Sequence, residues 1–370
     1  MRTGFQVDQL WFSAPGGIGT YVRELAPALA AADGVDLTLF HCRFPEPGPA
    51  WLSGFATMEI PGPIRTLYPQ WDLAGRPKLP PSFDGFDVVH ATNPAAVPPV
   101  RRTQALVVTV HDLAFEHHPD LFPTSWRWLY RAGVRAAVKR AAAIVVPTQH
   151  TADDLLSRHH LDPARVHVTP LGASLPASSA DPASVLERLG IPRPYVLSVG
   201  TQEPRKNLVR LLRAYRQVAP DVPHALVLAG AEGWGNDDLR LELDRPGPGT
   251  IARTGHVSDE DLDALYRGAD AFAYLSLYEG FGLPVVEALA RGVPSVVSDA
   301  SSLPEVAGGA AVLVDPEDVG EIADALATVL TSPDVAQDLR RRGPERAAAF
   351  TWDATARATL DAYRRATGAA

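Results

Sequence analysis

The stretch "YLSLYEGFGLPVVEALARGVPSVVSD" (274–299) decides how the chain folds. A short apolar run ends in a loop holding Gly280 and Gly282, Leu283 opens an amphipathic helical pattern, and "PSVVSD" (294–299) returns to β-branched residues. Strand, loop, helix and strand in this order predict a βαβ unit whose strands lie parallel in one sheet. Two carboxylates, Glu279 and Glu287, bracket the glycine loop. On one reading Glu287 decorates a solvated helix face. On the other, the loop amides and the helix start face an anion, and both carboxylates point at a hydroxyl-rich ligand beside it.

The same rhythm extends in both directions. Towards the N-terminus run "VDLTLF" (35–40), "DVVHAT" (87–92), "ALVVTV" (105–110), "AIVVPT" (143–148) and "RVHVTP" (165–170), each next to a helical pattern. After a stretch rich in Pro, Ala and Ser it restarts with "YVLSVG" (195–200), "HALVLAG" (224–230), "TIARTG" (250–255) and "DAFAYLS" (270–276). Continuous apolar strands alternating with helices predict buried parallel sheets. Two doubly wound α/β domains in tandem follow, with residues 173–194 as their linker. Ligands in such domains bind beyond the carboxyl ends of the strands, so a cleft between two facing domains is the expected site. Residues 45–81, with nine prolines, break the rhythm and read as a partly ordered surface that helps to shape a substrate pocket.

Composition narrows the function. The chain has 370 residues, enough for two cores, and is 46% hydrophobic and 21% charged, as a soluble globular protein is. A formal net charge of −9 argues against general nucleic-acid binding. One cysteine, Cys42, excludes an intramolecular disulfide and suits a reducing compartment. The N-terminus lacks the apolar core of a signal peptide, and no apolar run reaches the ~20 residues that span a bilayer. A cytoplasmic protein is the simplest expectation.

Three loops carry candidate chemistry. "SAPGGIGTYVREL" (13–25) sets Gly16 and Gly17 at a helix start, where bare backbone approaches an anion closely, although a plain tight turn has the same composition. It is no Rossmann fingerprint, since Val22 occupies the third glycine position, and no Walker lysine follows. "SVGTQEPRKNL" (198–208) places Arg205 and Lys206 after a strand, where an anionic ligand rests. "VVTVHDLAFEHHPDLF" (107–122) puts His111 directly after a buried strand, and His117 and His118 read as loop residues. Asp261 and Asp263 imitate a metal-binding pair, but "SDEDLDALY" reads better as a helix capped by Ser258. No zinc or calcium spacing and no nucleophile elbow appear, so no metal or cofactor is expected.

Taken together these motifs resemble the retaining glycosyltransferases of family 4. The resemblance runs through "PGGIGTYVREL", "VHDLAFEHHPDLF", "GTQEPRKNL", the long segment from Gly255 to Asp299, "SSLPEVAGGAAVLVDPED" and the closing "FTWDATARATLDAY". Glu279 and Glu287, with seven residues between them, look like that family's E-x7-E signature. The resemblance implies the GT-B fold. Residues 1–172 would form an acceptor-side Rossmann-like domain and residues 195–351 a nucleotide-sugar domain, facing across a cleft. A C-terminal helix within 352–370 would cross back to the first domain.

The resemblance also implies roles. Arg205 and Lys206 would grip the diphosphate of a nucleotide sugar, with Gly16 and Gly17 approaching it from the other domain. Glu287 would accept from the ribose and Glu279 from donor-sugar hydroxyls. Gly280, Phe281, Gly282 and Leu283 would line the sugar and phosphate, Val257 would border the base, and His111 would sit near the reacting sugar. Where some members carry a basic residue after the glycine matching Gly200, this chain has Thr201, which leaves more of the diphosphate charge to Arg205 and Lys206. The implied reaction moves a sugar, first of all mannose from GDP-mannose, to a hydroxyl on a glycan, a lipid-linked acceptor or a small molecule. The alternatives are a nucleotide-sugar epimerase or phosphorylase on the same fold, or a non-catalytic nucleotide-sugar-binding protein.

One feature stands apart. In "TSWRWLYRAGVRAAVKR" (124–140), Arg127, Arg131, Arg135 and Lys139 recur every fourth residue and form one helix face near Trp128. A solvated face is the commoner meaning of such a stripe. Peripheral contact with anionic lipid at the inner face of the membrane is the other.

Overall fold

The computed structural model describes residues 1–12, 16–173 and 180–368. They fall into two compact units, Met1–Gly172 with Trp352–Ala370, and Ala173–Thr351.

The first unit is built on seven parallel strands, β1 (Arg2–Gln6), β2 (Asp36–Cys42), β3 (Ala56–Ile60), β4 (Val88–Ala91), β5 (Ala105–Thr109), β6 (Ala143–Val146) and β7 (Val166–Val168). Their order is β3-β2-β1-β4-β5-β6-β7. The second has six, β8 (Tyr195–Val199), β9 (Ala225–Ala229), β10 (Ile251–Gly255), β11 (Ala271–Tyr274), β12 (Ser295–Ser298) and β13 (Val312–Val314), ordered β10-β9-β8-β11-β12-β13. In each sheet the chain winds outward from the first strand, then crosses over to its other side. Strand order therefore reverses between β1 and β4 and again between β8 and β11, which opens a crevice at the strands' carboxyl ends.

Burial explains why these strands are apolar throughout. β4, β5, β6, β9, β11 and β12 are buried at every position, because helices cover both faces. In the second unit Leu211, Leu212 and Tyr215 pack with Ile322 and Leu326 on one face of β9 and β11. Each such side chain contributes roughly 1.5–3 kcal/mol.

The C-terminal helix, Trp352–Thr367, packs on the helix Gly16–Ala30 and on β5 and β6 of the first unit. A buried polar chain fastens it. Tyr363 Oη meets His90 Nδ1 at 2.6 Å, His90 Nε2 meets Thr109 Oγ1 at 2.7 Å, and Thr109 meets Tyr21 Oη at 2.9 Å. Burial, aided by His111, pulls His90 down to about 3, so the ring is neutral and serves as a hydrogen-bond relay.

Two expectations need correction. Residues 45–81, expected to be only a partly ordered surface, contain a βα unit, β3 followed by the helix Ile64–Ala74. Ile64, Leu67, Tyr68 and Trp71 recur at helical spacing, and Trp71 is fully buried. Pro69 lies inside that helix, as its sixth residue. The expected linker is also shorter. Its residues 174–179 lie outside the described residues, but Pro182–Arg188 is a helix capped by Asp181, whose carboxylate accepts from Ser184 N at 3.1 Å. That helix packs on the helix Asp259–Gly268 of the second unit.

Candidate active site

The second unit gathers its charged groups beyond β8. The strand runs into Gly200, and the loop after β9 comes so near that a Cβ on Gly230 would lie 2.1 Å from Gly200 O. Only glycine allows that approach. A single 3-10 turn, Pro204–Lys206, follows, closed by Asn207 in the left-handed region at φ 58°. Asn207 donates to Pro316 O at 2.7 Å, which anchors the turn. The helix Leu208–Val218 begins there, but Asn207 does not cap it.

This turn sets Arg205 and Lys206 against one carboxylate. Lys206 Nζ is 2.6 Å and Arg205 Nη1 2.8 Å from Glu279 Oε1. Tyr274 Oη at the end of β11 donates to the same oxygen at 3.0 Å and accepts from Lys206 at 2.6 Å. Arg205 also pairs with Glu203 and donates to Tyr278 O at 2.7 Å. Burial pushes the Glu279 carboxyl up, but Arg205 and Lys206 outweigh it and hold the group at about 2. The sequence placed these three residues on different parts of one ligand; the structure joins them directly.

The glycine loop is fixed from the side. Glu279 N donates to Ser301 Oγ at 2.8 Å and Ser302 Oγ donates to Glu279 O at 2.8 Å. Gly282 has φ 97°, and a Cβ there would sit 2.6 Å from Leu303 Cδ2. Phe281 is buried edge-on against Phe350, with centroids 5.4 Å apart. The amides of Phe281, Gly282 and Leu283 donate to no described residue, so the loop ends in unspent donors at the start of the helix Leu283–Ala290. Gly280 lies in the same loop.

Glu287 is not the solvated residue of the plainer reading. It is buried on that helix, and its Oε2 accepts from Tyr266 Oη at 3.0 Å. Val257, half-buried, follows β10 in the same unit.

His111, in the first unit, follows β5. Its Nε2 lies 2.9 Å from Thr92 O, and a carbonyl only accepts, so Nε2 carries the proton. Burial lowers His111 to about 4 against the pull of that bond. The ring is therefore neutral at physiological pH and Nδ1 is an acceptor. Tyr21 meets it edge-on at 4.9 Å. Gly16, at φ 57°, and Gly17 are exposed at the first turn of the helix Gly16–Ala30; residues 13–15 of their loop lie outside the described residues.

Ser258 does cap its helix, accepting from Asp261 N at 3.1 Å. Asp263 is committed to Arg267 and Arg291, and Asp261 to Arg188. Among the described residues no group of three or more His, Cys, Asp and Glu is arranged to hold a metal ion. Sequence reasoning missed Tyr274, Glu203, Tyr266, Ser301 and Ser302. The serines lie in "SSLPEV", which carried no chemical signal until Glu279 was seen bonded to both.

Comparison with known proteins places this geometry. The family model described as "Glycosyl transferases group 1" matches residues 187–346 and that described as "Glycosyltransferase Family 4" matches residues 15–175. The chain is 30% identical to the O-antigen chain mannosyltransferase B of Escherichia coli, over 94% of this chain and 96% of that one. The chain belongs to the family 4 glycosyltransferases. This glycosyltransferase is also 29% identical to the MMP alpha-(1->4)-mannosyltransferase of Mycolicibacterium hassiacum, over 95% of each chain. Its fold is that of sucrose-phosphate synthase from Thermosynechococcus elongatus, with a TM-score of 0.75 over all of both chains at 22% identity. Two parallel α/β units of this order are the GT-B architecture. Two largely buried cations beside amides that donate to no described residue are groups of the kind that can stabilise an anion.

Proposed function

We propose that this glycosyltransferase is retaining and metal-independent and moves mannose from GDP-mannose to a hydroxyl acceptor. The observation that carries the reading is the convergence of Arg205 and Lys206 on Glu279 beside the amides of residues 281–283. The names of the two mannosyltransferase relatives favour mannose.

When the donor binds, its diphosphate takes Arg205 and Lys206 as counter-charges, together with the loop amides. Glu279 turns its second oxygen to a sugar hydroxyl, Glu287 accepts from the ribose, and Val257 borders the base. The bond from the sugar's reacting carbon to the diphosphate oxygen then breaks, and the electron pair leaves with the phosphate. The acceptor oxygen attacks the oxocarbenium-like carbon from the face just vacated, and its proton passes to the departing phosphate oxygen. Fixed cations and amides stabilise the developing charge, each typically at about 10²–10³ in rate. Because protein groups supply those charges, a metal ion is not required.

No helix among the described residues is long and apolar enough to cross a membrane. The one cysteine, Cys42, is buried and free, which suits a cytoplasmic enzyme.

The test is a melting-temperature screen against GDP-mannose and UDP-, ADP- and dTDP-sugars, since a ligand bound only by the native state raises the melting point. GDP release is then followed with and without acceptor. Stabilisation by GDP-mannose and acceptor-dependent GDP release support the reading. Release without any acceptor points to the epimerase class. Release driven by inorganic phosphate points to a phosphorylase, and binding without turnover to a sensor.

A further inference from the structure

The helix Thr124–Arg140 packs into the first unit through Ala132, Val134, Ala136 and Ala137. Gly133 presses so close to the loop after β4 that a Cβ would lie 1.6 Å from Pro94 O. The helix is thus held rigidly by its small residues. Its other face carries Arg127, Arg131, Arg135 and Lys139, and like charges at four-residue spacing weaken a helix.

In a chain of 43 acidic and 34 basic residues, partners for these cations are abundant, and most buried arginines have one. Among the described residues these four have no carboxylate partner. Arg127 donates only to Thr124 Oγ1, at 3.0 Å, with its Nε unpartnered. Arg131, Arg135 and Lys139 form no hydrogen bond or ion pair with any described residue.

These side chains line a groove of about 630 Å³ between this helix and the end of the helix Ile64–Ala74. Its rim holds Leu73, 63% exposed, and Trp128, 50% exposed, with Trp126 at 48% on the same helix. The single carboxyl lining the groove, Asp72, accepts from Val97 N at 3.0 Å and is pushed up by burial to about 7. It is therefore only partly ionised at neutral pH, and the cations lining the groove outnumber it. Arg140 adds to the positive charge, with Nη2 on Val97 O at 2.6 Å and Nη1 unpartnered.

We propose that this groove docks the enzyme on an anionic phospholipid leaflet, with lipid phosphates among Arg131, Arg135 and Lys139 and with Trp126, Trp128 and Leu73 in the interfacial layer. Charge complementarity selects the anion, and the exposed tryptophans select a membrane. A site for a soluble anion has no use for large apolar side chains at its rim, whereas cations beside Trp and Leu are the composition of an interfacial face. The net charge of −9 excludes general attraction of the whole molecule, so the contact must be local. This inference does not depend on which sugar is transferred.

The test is co-sedimentation of the full chain with phosphatidylcholine vesicles, with and without one third phosphatidylglycerol. Wild type should sediment only with the anionic vesicles, and high salt should release it. The triple variant Arg131→Gln/Arg135→Gln/Lys139→Gln should lose about fivefold per charge, roughly a hundredfold in all. Trp128→Ala should weaken binding further, with a melting temperature near that of wild type. A control, Arg341→Gln/Arg342→Gln in the second unit, should bind as wild type does. Absence of wild-type binding, or an equal loss in the control, would overturn the proposal. So would inorganic pyrophosphate stabilising wild type but not the triple variant while vesicles are ignored, which would make the groove a soluble-anion site.

Discussion

Lys206 Nζ lies 2.6 Å from Glu279 Oε1, and Arg205 Nη1 reaches the same oxygen at 2.8 Å. Without donor, the carboxylate therefore stands in for the anion that the two cations are expected to meet. This holds both side chains in place, since buried charges left unpaired are costly. Donor binding then exchanges one counter-charge for another, and little side-chain ordering remains to be done.

Lys206→Ala is expected to reduce turnover by at least about a hundredfold while the protein still folds. Arg205 remains to partner Glu279, so the buried carboxylate is not stranded. Steady-state rates with GDP-mannose, read beside a thermal melt, check this. Near-normal turnover in a folded variant would remove Lys206 from the mechanism.

The same contact predicts an acid response. The folded protein holds Glu279 at about 2 against an ordinary 4.5, a difference of about 3 kcal/mol. That stabilisation is complete above the unfolded value and is lost as pH falls from about 4.5 towards about 2. Urea midpoints at pH 6 and pH 3 should fall further in wild type than in Glu279→Gln. Parallel falls in the two proteins would show that the ion pair contributes no pH-dependent stability.

Most of the fold was legible because buried parallel strands are unbroken apolar runs, as in "ALVVTV" and "HALVLAG". β1 and β13 escaped notice for local reasons. "RTGFQ" carries a single β-branched residue, and "VLV" is only three residues long. β3 and its helix were hidden by prolines, although the spacing of Leu67, Tyr68 and Trp71 recorded the buried face. Within the site, the glycine loop and its two glutamates could be read from spacing. The contact between Lys206 and Glu279 could not, because it depends on β8 and β11 being neighbours, and strand order is not written in any single segment. Tyr274 shows the same limit: it reads as one more apolar strand residue until its hydroxyl is found on Glu279.

Exhaustive chelation should leave activity intact. In the proposed mechanism the diphosphate charge is met by Arg205, Lys206 and the amides of the glycine loop, and Asp261 and Asp263 are already ion-paired. Rates before and after EDTA treatment, in metal-free buffer, measure this. A complete loss that Mg²⁺ or Mn²⁺ restores would contradict the proposed mechanism.

The last prediction is stereochemical. Inversion needs a general base on the face of the donor carbon opposite the leaving group; retention by same-face attack does not. The titratable groups that the proposed mechanism assigns to the reaction offer no such base. Glu279 is bound by two cations, and its depressed value makes it a poor proton acceptor at neutral pH. Glu287 is held by Tyr266, and the Nδ1 of His111 belongs to a ring that burial keeps at about 4, a weak base. An α-configured donor should therefore give an α-linked product, without a stable glycosyl-enzyme. Glu279→Gln should still bind nucleotide, because Glu287 is the group proposed to hold the ribose, and should lose most transfer, because the amide no longer balances Arg205 and Lys206. For a mannosyl product the one-bond carbon–proton coupling constant at the anomeric centre reports the configuration. A β-linked product would require a base that these groups do not supply and would overturn the same-face mechanism.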